Sequence, residues 1–317
     1  MYVEMTPEHR ALQEELRSYF AGIMTPELQN EIKGSEGGGP LYRVALKKMG
    51  ADGWLGIGWP KEYGGQGRTP IEQMIFADEV QSAGFPLPFL TLNTVGPTIM
   101  KFGSDAIRNE FLPRILAGDC HFCIGYSEPG AGTDLASLTT KAVRDGDPHK
   151  PSDSDEWVIN GQKVFTSLAD FADYVWLAAR TDPNAPKHRG ISMFIVPTTS
   201  PGFKLTPTFT MGDVRTNTTY YENVRVPHGN LVGGENNGWG LIVSQLNHER
   251  VSLTPSGPST RMLEEVREWA KATKLADGRR VIDQPWVRDS LAWVHAKLEA
   301  LRLMQCKLAW SLTQGAL

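Results

Sequence analysis

The sequence is poor in cysteine, in basic excess and in long apolar runs. Three cysteines among 317 residues cannot form a disulfide framework. Cys120 and Cys123 make one C-x-x-C, but no second pair and no histidine at zinc-ligand spacing follows. Two small buried thiols in a reducing compartment is the better reading. A total of 32 Lys and Arg against 36 Asp and Glu gives a formal charge of −4, without the basic field a nucleic-acid binder needs. No apolar stretch approaches the ~20 residues that cross a bilayer. The opening MYVEMTPEHR has acids where a secretory signal has an apolar core, so a cytoplasmic location is expected. Glycine and proline, by contrast, are plentiful at 32 and 21 residues, and many are clustered. With 40% hydrophobic and 21% charged residues, the chain can build a sizeable core.

Three zones follow. Residues 1–118 read as a helical domain. Thr6 suits an N-cap and Pro7 a first turn, and Leu12, Leu16, Tyr19 and Ile23 recur on one helix face. Glycines break the pattern at 31–40, and GWLGIGWPKEYGGQG (53–67) is too rich in Gly and Pro for regular structure. Helical patterns return at 41–49, 71–83, 90–102 and 105–116, the last expected to split or kink at Pro113. Residues 119–236 change period. Asn160-Gly161 between two apolar runs predicts a hairpin turn. Short strands at 174–179, 191–196, 203–205 and 220–226, with no helix between them, predict an antiparallel barrel or sandwich. Residues 237–317 are helical again, with an apolar stripe at Leu291, Val294, Leu298, Leu301, Met304 and Leu308. This order implies an α+β chain of separate layers or domains. No G-x-G-x-x-G follows a strand and no Walker sequence occurs, which disfavours Rossmann and P-loop chemistry.

Three segments are candidates for chemistry. GYSEPGAGTD (125–134) sets three glycines and a proline among the hydroxyls of Ser127 and Thr133. Glycine lets backbone approach a ligand, and successive amides in such a turn form an anion nest, although an ordinary tight loop has the same composition. Phe165-Thr166-Ser167 places an aromatic beside two hydroxyls, which suits a flat polar heterocycle or simply a strand end with one core aromatic. Trp239, Ile242, Leu246, Glu249 and Leu253 are spaced 3, 4, 3 and 4, one stripe of a helix. A carboxylate on an apolar stripe is costly to ionise, and a raised pKa suits a general base. The alternative is that Glu249 lies at the stripe margin or pairs with an arginine. The histidines show no metal spacing, and no metal site is expected.

These pieces together resemble the acyl-CoA dehydrogenase family along nearly the whole chain. IGWPKEYGGQG resembles its N-terminal glycine-rich signature and YSEPGAGTDLASLTTKA its flavin-binding signature, the most specific of the matches. WVINGQKVFTS with DYVWLAARTD resembles the next two barrel strands, and ENVRVPHGNLVGGENNGW the segment leading to the C-terminal helices. The resemblance is to mycobacterial and related actinobacterial members, including those acting on sterol side-chain CoA thioesters. It implies an N-terminal α-helical domain (1–118), a central antiparallel β-barrel (119–236) and a C-terminal helical bundle (237–317). It also implies FAD, an acyl-CoA substrate and electron-transfer flavoprotein as electron acceptor. By motif, Tyr126, Ser127, Gly132 and Thr133 would touch the flavin and its pyrophosphate, and Phe165, Thr166 and Ser167 would lie against its ring. Thr133 and Arg250 would approach the substrate. The family removes an α-proton with a glutamate while a β-hydride passes to the flavin. One of its two places for that base, on the first helix after the barrel and just before an arginine, matches Glu249-Arg250.

Three departures from the pattern stand out. The R-x-x-F-G sequence that reaches a neighbouring subunit's FAD is missing from EWAKATKLADGRRVIDQPWV. MGDVRTNTTYYENV is about two residues short. Pro255 and Pro258 interrupt what is elsewhere one long helix, predicting a kink or break. A heteromeric assembly can draw the missing arginine from a paralogous subunit, so an α₂β₂ complex is expected. Competing expectations are a flavin monooxygenase or acyl-CoA oxidase on the same fold, or a non-catalytic partner subunit. Against the family's ~380–400 residues, the C-terminal bundle is expected to be incomplete and to expose an apolar face.

Overall fold

The computed structural model describes residues 5–146, 152, 154–212, 214–249 and 256–314, with residues 247–249 in their backbone alone. The helices are α1 (Pro7–Ile23), α2 (Pro26–Glu31), α3 (Pro40–Ala51), α4 (Pro70–Ser82), α5 (Gly96–Phe102), α6 (Asp105–Leu116), α7 (Gly238–Glu249), α8 (Gly257–Ala272) and α9 (Pro285–Thr313). The strands are β1 (Phe122–Gly125), β2 (Lys141–Asp145), β3 (Glu156–Lys163), β4 (Tyr174–Arg180), β5 (Ile191–Pro197), β6 (Phe203–Phe209), β7 (Arg215–Pro227) and β8 (Leu231–Val232). Helices therefore precede and follow a central sheet region. The chain divides into two compact units: Met1–Pro26, Gly67–Leu87 and Arg250–Leu317 in one, Glu27–Gln66 and Pro88–Glu249 in the other.

The first unit is helical. Thr6 caps α1 by accepting the His9 N–H, and α1 buries Leu12, Leu16, Phe20 and Ile23. Phe20, rather than the expected Tyr19, completes the stripe, because its ring packs on Phe76 and Phe85 at 6.1 and 6.3 Å. α4 opens with a capping box between Thr69 and Glu72. Its buried Glu79 accepts from Gln13 at 2.6 Å and Arg17 at 2.9 and 3.0 Å, which offsets the penalty of burying a carboxylate. Asp78 receives Ser256 Oγ and Gly257 N at the start of α8. Pro258 sits in the first turn of that helix, where proline is tolerated. α7 ends before α8 begins, but Pro255 lies outside the described residues. On α9, Trp286, Trp293 and Trp310 are exposed.

In the second unit, the glycine-rich segment after α3 contains two short 3₁₀ turns, Trp54–Gly56 and Lys61–Tyr63. Residues Leu90–Val95 form a π-helix, closed by Gly96 N–H bonding five residues back to Thr91. Trp59 Nε1 donates to the Leu92 carbonyl at 3.0 Å. α6 runs through Pro113 without dividing. The proline gives up the i−4 hydrogen bond an N–H would make there, and the helix ends within a turn of it.

The eight strands form one sheet in the order β6-β7-β3-β2-β4-β5-β8, with β1 added parallel to β4. Most pairings are antiparallel; β2 with β4 is a second parallel contact. The core includes Trp157, Ile159, Val175, Leu177, Phe194, Val196, Tyr221 and Val224. Asn160-Gly161 is not a hairpin turn. β3 continues through it, and the register against β7 shifts between Ile159 and Gly161, which makes it a bulge. Asn160 and Asn223 exchange bonds of 3.1 and 2.9 Å across this bulge, and a Cβ at Gly161 would stand 2.6 Å from Thr140. Glycine here serves close approach rather than chain reversal.

Candidate active site

β1 delivers the chain into the 125–134 loop. Gly125 must be small, because a Cβ would lie 2.9 Å from Val175. Ser127 accepts Val164 N–H at 2.8 Å, and Glu128 and Ala131 exchange backbone bonds of 2.9 and 3.1 Å. Pro129 and Gly130 therefore form a tight tip. A Cβ at Gly130 or Gly132 would meet nothing within 4 Å. Tyr126 and Ser127 are half-buried, and Gly132 and Thr133 are exposed. Beyond the tip, Arg180 of β4 donates to the carbonyls of Ala136 and Leu138 at 2.6 and 3.3 Å.

β3 ends in a second feature. Phe165 and Leu168 both have left-handed backbone, at φ 55° and 63°, which is uncommon for such side chains. Thr166 N–H donates to Asn217 O at 2.8 Å, and Asn217 Nδ2 donates to Thr166 O and Asp170 Oδ1 at 3.3 and 3.0 Å. This grip from β7 holds the strained turn and leaves the Phe165 ring 72% exposed. Ser167 is half-buried. Thr166 is buried, with its hydroxyl 3.5 Å from that of Thr219, so its side chain belongs to the interior. Backbone strain around an exposed aromatic is the kind of feature that collects at ligand sites.

Glu128 and Lys163, which the sequence reading did not single out, join these two features. Lys163 is fully buried, and its Nζ donates to Glu128 Oε1 at 2.8 Å and to Tyr126 O at 3.1 Å. Burial alone would raise the Glu128 carboxyl, but Lys163 and the Thr139 and Thr140 N–H groups outweigh it and hold the group down at about 2. Burial in turn pulls the Lys163 ammonium below its ordinary range. Lys163 could have been found by alternation along β3 once the bulge was allowed for. Glu128 lies inside the GYSEPGAGTD segment, but nothing in the sequence marks it as the partner of Lys163.

α7 approaches the loop through Gln245, which is fully buried. Its Oε1 accepts from Tyr126 Oη and, at 3.0 Å, from Trp176 Nε1. An indole N–H can only donate, so the amide orientation is fixed. Its Nε2 is then left buried with no partner among the described residues. The buried face of α7 runs through Leu241, Ile242 and Gln245, whereas Leu246 of the expected stripe is 43% exposed. Position 249 lies four residues beyond Gln245 in the same helix. The Glu249 side chain and the whole of Arg250 and Leu253 lie outside the described residues. The structure thus brings Tyr126 and Ser127 together with the end of β3 and with α7.

Cys120 and Cys123 are buried free thiols, and burial pushes Cys120 up to about 12. Among the described residues no group of three His, Cys, Asp or Glu side chains could hold a metal, and no helix is long and apolar enough to cross a membrane.

A helical N-terminal region, a largely antiparallel sheet and C-terminal helices, in that order along the chain, are the frame of one enzyme class. The N-terminal, middle and C-terminal domain models of acyl-CoA dehydrogenases match residues 6–119, 123–224 and 236–317. The chain belongs to the acyl-CoA dehydrogenase family, an oxidoreductase family acting on acyl-CoA whose members are generally flavoproteins. It is 56% identical to the acyl-CoA dehydrogenase FadE26 of Mycobacterium tuberculosis over 317 residues, covering 98% of this chain and 77% of that protein. A chain of the ChsE4-ChsE5 complex from the same organism superposes with a TM-score of 0.89 at 55% identity, covering 100% of this chain and 79% of its own. The Tcur3481-Tcur3483 steroid acyl-CoA dehydrogenase gives a TM-score of 0.89 at 50% identity, with the same coverage.

Proposed function

We propose that this acyl-CoA dehydrogenase uses FAD held by the 125–134 loop and the Phe165–Ser167 turn, that Glu249 is its base, and that its substrate is a steroid-bearing acyl-CoA. The observation that carries the reading is the tie between the glycine loop, the exposed Phe165 and the helix that ends at Glu249. The residues present suit a flavin. The Phe165 ring is exposed on a turn held from β7, and Gly130 and Gly132 leave room for close approach beside the Ser127 and Thr133 hydroxyls.

Ser127 and Thr133 would hold the cofactor through their hydroxyls and neighbouring amides, with Tyr126 and Gly132 beside them. Phe165 and Ser167 would face the ring, and Thr166 would fix that turn from within. FAD bound there would supply a two-electron acceptor for the hydride leaving the β-carbon. Glu249 would take the α-proton onto its carboxylate. A thioester α-proton is too weakly acidic for a free carboxylate at neutral pH, so donors to the thioester oxygen must stabilise the developing charge. Arg250 and Thr133 would orient the substrate, and exclusion of water would keep the base effective.

The steroid assignment rests on likeness to the steroid acyl-CoA dehydrogenase named above. The missing R-x-x-F-G sequence and the likeness to a chain of a named complex support assembly with a paralogous subunit as α₂β₂, with electron-transfer flavoprotein as the electron acceptor and the cytoplasm as the location. One experiment tests these together. The chain is purified alone and with the product of a neighbouring paralogous gene, and given straight, branched and steroid acyl-CoA thioesters with an artificial acceptor. Turnover is expected with the steroid thioester, at least about tenfold faster in the co-purified assembly. Oxygen consumption without the acceptor would indicate an oxidase or monooxygenase instead. A flavin-free, inactive chain in both preparations would mark a non-catalytic subunit.

A further inference from the structure

The buried pair Glu128–Lys163 has no part in the chemistry above, yet it grips the glycine loop at three places along the chain. Lys163 Nζ holds the carbonyl of Tyr126 at 3.1 Å and Glu128 itself at 2.8 Å. The Glu128 carboxylate takes the N–H groups of Thr139 and Thr140 at 2.7 and 2.9 Å, and the Thr139 hydroxyl at 2.8 Å. One pair of charges thus holds the loop at Tyr126 and Glu128 and ties it to the Thr139-Thr140 segment beyond it. Between these points Gly130 and Gly132 have no atom near where a Cβ would stand, so of the tip only Ala131 between them is packed away.

Two desolvated ions are a weak source of stability, since the loss of hydration offsets much of their attraction. Apolar side chains of similar volume would fill the same space. They could not bond the Tyr126 carbonyl and the two threonine amides at once. Charges at this place therefore fix a conformation.

We propose that Glu128 and Lys163 are positioning residues that hold the 126–134 loop in the shape that receives the cofactor. The proposal rests on the reading of that loop as the FAD site. Lys163 acts through its two acceptors and Glu128 through the amides it collects; neither touches the reacting atoms.

The test separates cofactor affinity from fold stability. Flavin-stripped protein, in the assembly in which it purifies, is titrated with FAD by fluorescence quenching, and the melting temperature is read on the same samples. Lys163→Met, which leaves a carboxylate unpaired, should lower both. The double variant Glu128→Gln with Lys163→Met removes both charges and should regain most of the melting temperature while binding FAD at least about tenfold more weakly than wild type. Affinity that recovers with the melting temperature would make the pair merely structural and overturn the proposal. Where the double variant stays destabilised, amide exchange of residues 130–134 below the melting range decides. Exchange about tenfold faster with the sheet still protected supports the positioning role, and unchanged exchange overturns it. A folded wild type that takes up no FAD overturns the reading of the loop itself, and the positioning role with it.

Discussion

At His121 both ring nitrogens are buried without a hydrogen-bond partner among the described residues. The ring lies 4.9 Å from that of Phe171. Burial first, and then the nearby Arg43 charge, push its pKa down to about 4. The unfolded chain therefore binds a proton between about pH 6.5 and 4 that the folded chain does not. Stability contributed by neutral His121 is complete above that window and falls as the pH drops through it, by on the order of 3 kcal/mol in full. His121→Phe should flatten the fall of melting temperature between pH 6.5 and 4; an unchanged slope would show that His121 does not set it. The sequence placed His121 among unremarkable histidines, and nothing in its spacing revealed the burial. Glu128 was equally hidden, because its role depends on a lysine 35 residues away.

Among the elements, periodicity located the longer helices and the strands from β3 to β7, since burial of one face imposes it, but the short α2, β1, β2 and β8 were left unmarked. It failed where two local structures use the same residues. Asn-Gly serves a hairpin turn and a bulge alike, and only the pairing of β3 with β7 across Asn160 and Asn223 separates them. The α7 stripe was read one residue away at Leu246 because apolarity stood in for burial, whereas polar Gln245 is the buried member. The π-helix at Leu90–Val95 left no mark beyond Pro97. The bulge gives a direct prediction. Gly161→Ala brings a Cβ to 2.6 Å from Thr140 at φ +151°. It should destabilise the chain by about 1–3 kcal/mol, read as a lower urea midpoint with an unchanged slope. A neutral result would mean that β3 and β2 give way locally.

For the molecule as a whole, the glycine clusters that stood out in the composition acquire specific uses. One opens a loop tip with free space around Gly130 and Gly132, while the isolated Gly161 lets β3 press against Thr140. The family was legible from YSEPGAGTD and its neighbours in order. The assembly that holds this loop was not, because Gln245, Trp176, Asn217 and Lys163 come from separate elements that only folding brings together. Chemistry at this site turns on Glu249 at the end of α7. The most direct measurement is anaerobic mixing of the flavin-loaded enzyme with a steroid acyl-CoA thioester, comparing wild type with Glu249→Gln by bleaching of the visible flavin band. Normal flavin content and a bleaching rate about 100- to 10,000-fold lower are expected in the variant. Bleaching at the wild-type rate in a flavin-loaded Glu249→Gln enzyme would contradict this.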